Sequence, residues 1–119
     1  MLTLREIFDD FALYAELEPS AVFIDTKNST GESPIHWMAS LGDVQAIELL
    51  AKAGANLSAQ DVSGNTALHV AVSLGHAPAT RALIAGGAIV SLRNADSQTP
   101  ADIARSRGIE RLIGLFSNG

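Results

Sequence analysis

The chain has 119 residues, 47% of them apolar, and a formal net charge of −5, which is length enough for one globular core and short for two. The absence of cysteine excludes a disulfide framework and a thiolate metal site, and no run approaches the roughly 18 consecutive apolar residues of a membrane span. In residues 1–27 six acids face only Arg5 and Lys27, a net of −4, so a partner with a basic surface is favoured, while the lack of any basic stripe disfavours nucleic acid.

The opening MLTLREIFDD puts acids where a secretory signal needs a basic start and an apolar run, and a soluble, cytoplasmic protein is expected. Thr3-Leu4-Arg5-Glu6 reads as a capping box, in which the Thr3 hydroxyl and the Glu6 carboxylate satisfy backbone N–H groups at a helix start. The spacing predicts a helix to about Glu16, ended by Pro19. Leu4, Ile7, Phe8, Phe11 and Ala15 form its apolar face, with Glu6, Asp9, Asp10 and Glu16 opposite. Leu13 and Leu17 fall toward the acidic side. The loop Ala21 to Ile24 is expected to fold back over them, an exposed anchor being the alternative. Val22, Phe23 and Ile24 are expected to pack under the helix.

From Asn28 the chain repeats itself at a shift of 33 residues. Asn28, Asp61 and Asn94 fall in register, as do Ser33, Thr66 and Thr99, then His36, His69 and Asp102, and finally Gly42, Gly75 and Gly108. In the first unit, 28–60, a turn at Gly31 precedes Ser33, suited to an N-cap, and Pro34, suited to the first helical position. Ile35, Met38 and Ala39 point inward. After Gly42, Asp43 opens a second helix carrying Val44, Ile47, Leu49 and Leu50, closed at Gly54. The second unit, 61–93, follows the same order with Thr66, Ala67, Leu68, Ala71 and Gly75, and Pro78 is tolerated in the first turn of its second helix. The third, 94–119, departs from the pattern. Ser97 replaces the turn Gly, Asp102 the His, and Arg105, Arg107, Glu110 and Arg111 bring charge, while Ile103, Ala104, Leu112, Ile113, Leu115 and Phe116 face back. Ser117 to Gly119 is expected to fray.

A 33-residue period around Ser33-Pro34-Ile35-His36 and Thr66-Ala67-Leu68-His69, with a Gly after the first short helix, resembles the ankyrin repeat family over Asn28 to Phe116. The resemblance implies an all-α solenoid of helix-turn-helix units and extended fingers in a single domain, 1–119. Segment 1–27 would be an N-terminal capping helix and loop, and 94–119 a C-terminal capping repeat, since terminal units need one apolar and one polar side. It also implies that His36 and His69 hold their turns by hydrogen bonds to backbone.

Those two histidines invite a metal reading, but a closed site needs three or four convergent ligands and no third candidate stands at ligand spacing. His76, in the turn between helices, is expected to be solvated. There is no G-x-S-x-G elbow, no H-E-x-x-H pair and no Gly-rich loop followed by Lys. Neither catalysis nor a metal nor a cofactor is expected.

The resemblance implies a partner-binding concave strip made of the finger tips and the exposed side of each first helix. Carried over, its positions are Ser29, Thr30, Glu32, Ser40 and Leu41, then Val62, Ser63, Asn65, Ser73 and Leu74, and last Ala95, Asp96, Gln98, Ser106 and Arg107. Leu41, Val62 and Leu74 are the candidate anchors, since binding energy concentrates in a few desolvated contacts; partial burial between helices is the alternative. For Trp37, packing is favoured over an interface role. The expected function is protein binding through this strip, as a stoichiometric inhibitor or bacterial immunity-type protein. A neutral scaffold or adaptor is the alternative, and a small-molecule enzyme a further one. With an initial Met, a cap at each end and no linker, the sequence reads as a complete small protein, a monomer when unbound.

Overall fold

Each unit begins its first helix with a hydroxyl residue and, three positions on, a side chain that reaches back to it. His36, His69 and Asp102 accept the backbone N–H groups of Ser33, Thr66 and Thr99 at 3.1, 3.0 and 3.0 Å, so donors that a helix start leaves orphaned are satisfied locally. The computed structural model describes residues 2–116. Among them are α1 (Leu4–Ala15), a 3-10 turn (Pro19–Ala21), α2 (Pro34–Leu41), α3 (Val44–Lys52), α4 (Ala67–Ser73), α5 (Ala77–Ala85), α6 (Pro100–Ser106) and α7 (Glu110–Phe116), and no strand. The expected fraying of 117–119 lies outside the described residues.

The helices pack in two rows, α2, α4 and α6 in the first and α3, α5 and α7 in the second, with α1 across the end on α2 and α3. Ile35, Leu50, Leu68 and Leu83 are fully buried between the rows, each such side chain stabilising the fold by about 2 kcal/mol. A second cluster, Val72, Ala77, Ile103, Ala104 and Leu112, continues the core toward the C-terminal end, where Ile113, Leu115 and Phe116 pack against it. Arg105, Arg107, Glu110 and Arg111 are exposed there.

Between the helix pairs the chain forms extended fingers, and here the register of Asn28, Asp61 and Asn94 acquires a physical role. The Oδ1 of each accepts two backbone N–H groups of its own turn, from Thr30 and Glu32, from Ser63 and Asn65, and from Asp96 and Gln98, all at 2.9 to 3.0 Å. Neighbouring fingers touch at their tips. The Val62 N–H donates to the Thr30 carbonyl at 3.0 Å and the Ala95 N–H to that of Ser63 at 2.9 Å. Gly31 makes this approach possible: its φ is +80°, and a Cβ there would sit 2.9 Å from the Val62 nitrogen.

The N-terminal segment differs from expectation in three respects. The helix ends where expected, at Ala15 with Glu16 as C-cap, but the left-handed turn at Glu16, φ 56°, stops it and not Pro19, which instead opens the 3-10 turn. The Thr3 hydroxyl caps the Glu6 N–H at 3.2 Å, but the Glu6 carboxylate accepts from that hydroxyl at 3.1 Å, not from the Thr3 backbone, so only half of the capping box forms. The loop covers Leu17 in part but not Leu13, which is 82% exposed. Val22 is buried against Phe11 and Ala12, whereas Phe23 is 69% exposed because a turn closed by its N–H on the Thr26 hydroxyl, 2.8 Å, swings it outward.

Candidate functional site

The joints between units fix the surface that the fingers and first-row helices present. In the first joint His36 Nδ1 accepts the Ser33 N–H, which leaves the ring proton on Nε2, 2.9 Å from the Asn65 carbonyl. His69 repeats the arrangement with the Thr66 N–H and the Gln98 carbonyl at 2.8 Å. Both rings are buried. Burial lowers the pKa of His69, against the raising influence of the Gln98 carbonyl and the Asp61 charge, so the neutral tautomer is the one the joint holds. Where Asp102 stands in this register, hydrogen bonds from the Thr99 backbone and side chain, helped by the nearby Arg93 and Arg105, hold its carboxyl below its ordinary value against desolvation. Among the described residues no group of three or more His, Cys, Asp and Glu side chains could hold a metal ion.

Leu41, Leu74 and Arg107 occupy equivalent positions, each immediately before a left-handed glycine, Gly42, Gly75 or Gly108. That glycine turns the chain away and leaves the preceding side chain outside the helix pair. Leu41 is 50% exposed, Leu74 56% and Val62, at a finger tip, 75%; none is shielded between helices. Asn65, Ser73, Asp96, Gln98 and Arg107 converge on one polar recess of about 240 Å3 between the second and third units. Leu41 lines a separate recess against α1. A further depression, about 480 Å3, lies between α3 and α5 on the second row.

A family model describing ankyrin repeats in three copies matches residues 11–112. The chain belongs to the ankyrin repeat family. No curated protein matched the sequence. Ankyrin repeat domains are generally protein–protein interaction modules and generally not catalysts. No helix among the described residues is long and apolar enough to cross a membrane.

Several strip positions of this ankyrin repeat protein serve the scaffold as well as the surface. Glu32 Oε1 accepts from the Tyr14 hydroxyl at 2.8 Å and from Asn28 and Thr30 at 3.0 Å. Partial burial pushes its carboxyl up, but these hydrogen bonds and the nearby His36 leave it below its ordinary value. The Ser40 hydroxyl donates to the Trp37 carbonyl at 2.6 Å, and Asn65 Oδ1 accepts from the Asn94 amide at 3.0 Å. Ser63 and Asp96 stand exposed at their finger tips.

The structure corrects one residue and explains another. His76, expected in solvent, is half-buried: its Nε2 lies 3.2 Å from the Ser40 carbonyl, and its ring covers Gly42, where a Cβ would meet it at 3.0 Å. Trp37 is packed, as favoured. It stacks on Tyr14 with ring centroids 3.9 Å apart, and its Nε1–H donates to Asp10 at 2.9 Å. The sequence placed Asp10 only on the polar face of α1 and said nothing of Tyr14; their spacing of one helical turn was the available signal.

Proposed function

We propose that this chain, as a cytoplasmic monomer, binds a protein partner with a basic surface through the strip running from Glu32, Ser40 and Leu41 by way of Val62, Ser63, Asn65, Ser73 and Leu74 to Asp96, Gln98 and Arg107. The observation that carries the reading is the pair Leu41 and Leu74, half exposed at the same register position of successive units. Solvent contact gives two leucines no reason to recur there, whereas desolvation by a partner does. The histidine joints support it in a second way, because a surface already ordered loses little entropy on docking. In its narrower form the partner is occluded, as by a stoichiometric inhibitor or immunity-type protein; an adaptor would bind without blocking.

The test is affinity capture from native lysate with wild type and with the Leu41→Glu/Leu74→Glu chain. Because both side chains are half exposed, the double variant is expected to stay folded, within about 1–2 kcal/mol of wild type. A partner held by wild type and lost by the variant is the expected result, and assaying that partner's activity with and without the protein separates occlusion from adaptor binding. Equal capture by both chains would refute the strip.

A further inference from the structure

One end of the strip is chemically distinct. A recess of about 260 Å3 lies where α1 meets the start of α3. Its floor is apolar, built from Ile7 and Met38, both buried, and Leu41 and Leu2 wall it. Three carboxylates rim it: Glu6 and Asp10, one turn apart on α1, and Asp43, the N-cap of α3. No described lining residue is basic. The nearest base in sequence, Arg5, is turned to Asp9 at 3.1 Å, and among the described residues none of the three carboxylates is paired with Lys or Arg. Each has one oxygen engaged, Glu6 by the Thr3 hydroxyl, Asp10 by Trp37 Nε1–H and Asp43 by the Ala46 N–H at 3.1, 2.9 and 3.1 Å. These bonds orient the carboxylates without neutralising them.

We infer that this recess is a subsite for a lysine side chain of the partner protein, its aliphatic stem on Ile7, Met38 and Leu41 and its ammonium among Glu6, Asp10 and Asp43. The inference rests on the protein-binding reading above and names the partner group that the acidic end of the strip takes. Charge complementarity selects a cation, and the apolar floor selects one carried on a methylene stem over a bare ion. Lysine fits better than arginine because its three donors radiate from a point toward the carboxylates of α1 and of the α3 N-cap, whereas the planar guanidinium fork is matched best by a single bidentate carboxylate.

The subsite can be tested without knowing the partner, by NMR titration of the 15N-labelled chain with Nα-acetyl-lysine methylamide and its norleucine and arginine counterparts. The lysine probe is expected to give saturable shifts, in the millimolar range, confined to Leu2, Glu6, Asp10, Leu41 and Asp43, with the norleucine probe weaker by about tenfold. Binding should fall as salt rises toward about 1 M, where screening acts within roughly 3 Å. The Glu6→Gln/Asp10→Asn/Asp43→Asn chain keeps an acceptor for Thr3, Trp37 and Ala46 and should lose the lysine preference. Shifts scattered over the other acids, an arginine probe binding as tightly, or equal binding of lysine and norleucine by wild type would each overturn the assignment, the last needing no variant. If a captured partner is lost by Leu41→Glu/Leu74→Glu but kept by the triple amide chain, the strip stands and the lysine subsite falls.

Discussion

The imidazole of His36 and the main-chain carbonyl of Asn65 meet at 2.9 Å, joining the first helix of one unit to the finger of the next. Since the same ring also accepts the Ser33 N–H, removing it orphans a donor and an acceptor at once. His36→Ala or His69→Ala is expected to cost about 2–4 kcal/mol, read as a lower urea midpoint. A loss under about 0.5 kcal/mol would show that the rings are not what holds the joint.

The buried ring at position 69 makes stability depend on pH in a defined sense. Burial lowers its folded pKa from an ordinary value of 6.5, so the unfolded chain binds the proton first. Stability contributed by the neutral ring is therefore complete above that value and declines as pH falls through it, until the folded ring is also protonated. Urea midpoints between about pH 8 and pH 5 should fall for wild type and fall less for His69→Gln, whose amide can still donate to the Gln98 carbonyl. Parallel pH profiles would count against this. Below that window Glu32 and Asp102, both held under their ordinary values, lose their stabilising contribution as the pH drops through the carboxylate range.

Ser97 stands in the turn with φ 61°, where Gly31 and Gly64 stand in the other units. A side chain there costs about 1–2 kcal/mol, partly offset by the greater entropy glycine loses on folding. Ser97→Gly should accordingly raise stability by about 0.5–1 kcal/mol, and Gly31→Ala, strained and crowded against the Val62 nitrogen, should lower it by about 2 kcal/mol. Opposite signs in matched thermal melts are the expected outcome; the same sign would contradict the turn argument.

Trp37 reports the docking of α1, because its ring stacks on Tyr14 and its N–H bonds to Asp10. Tyr14→Ala removes the stack and the bond to Glu32 and is expected to cost about 1–3 kcal/mol. It should also shift Trp37 emission to the red, and speed amide exchange in α1 more than in α4. Unchanged emission would mean that the clasp does not seat the helix.

Much of this architecture was legible because it is periodic. Ser33, Thr66 and Thr99, with an acceptor three residues on, announce three helix starts, and Gly42, Gly75 and Gly108 their turns. The expectation that histidine grips backbone held for His36 and His69. What escaped depends on contacts between units or with the cap. Nothing near His76 names the Ser40 carbonyl as its partner, since that carbonyl belongs to the preceding unit. Val22 lies under α1 as its apolar run suggested, but helical spacing, which placed Leu13 on the acidic side of α1, could not say that the loop would leave Leu13 and Phe23 outside. Of the surface, the positions of Leu41 and Leu74 came from the resemblance, which left their exposure against partial burial open; the recess against α1 was not legible, because the cap helix lies outside the period.

The histidines grip carbonyls that every amino acid carries. His36 holds the main chain at Asn65 and His69 the main chain at Gln98, so neither joint inspects the side chain at the position it clasps. Position 98 can be rewritten while the frame that presents it keeps its grip; at 65 the histidine grip also survives, at the loss of the bond from the Asn94 amide. A library of variants at 98 would sample new recognition chemistry on a chassis whose joint is unaltered, which makes the surface readily evolvable.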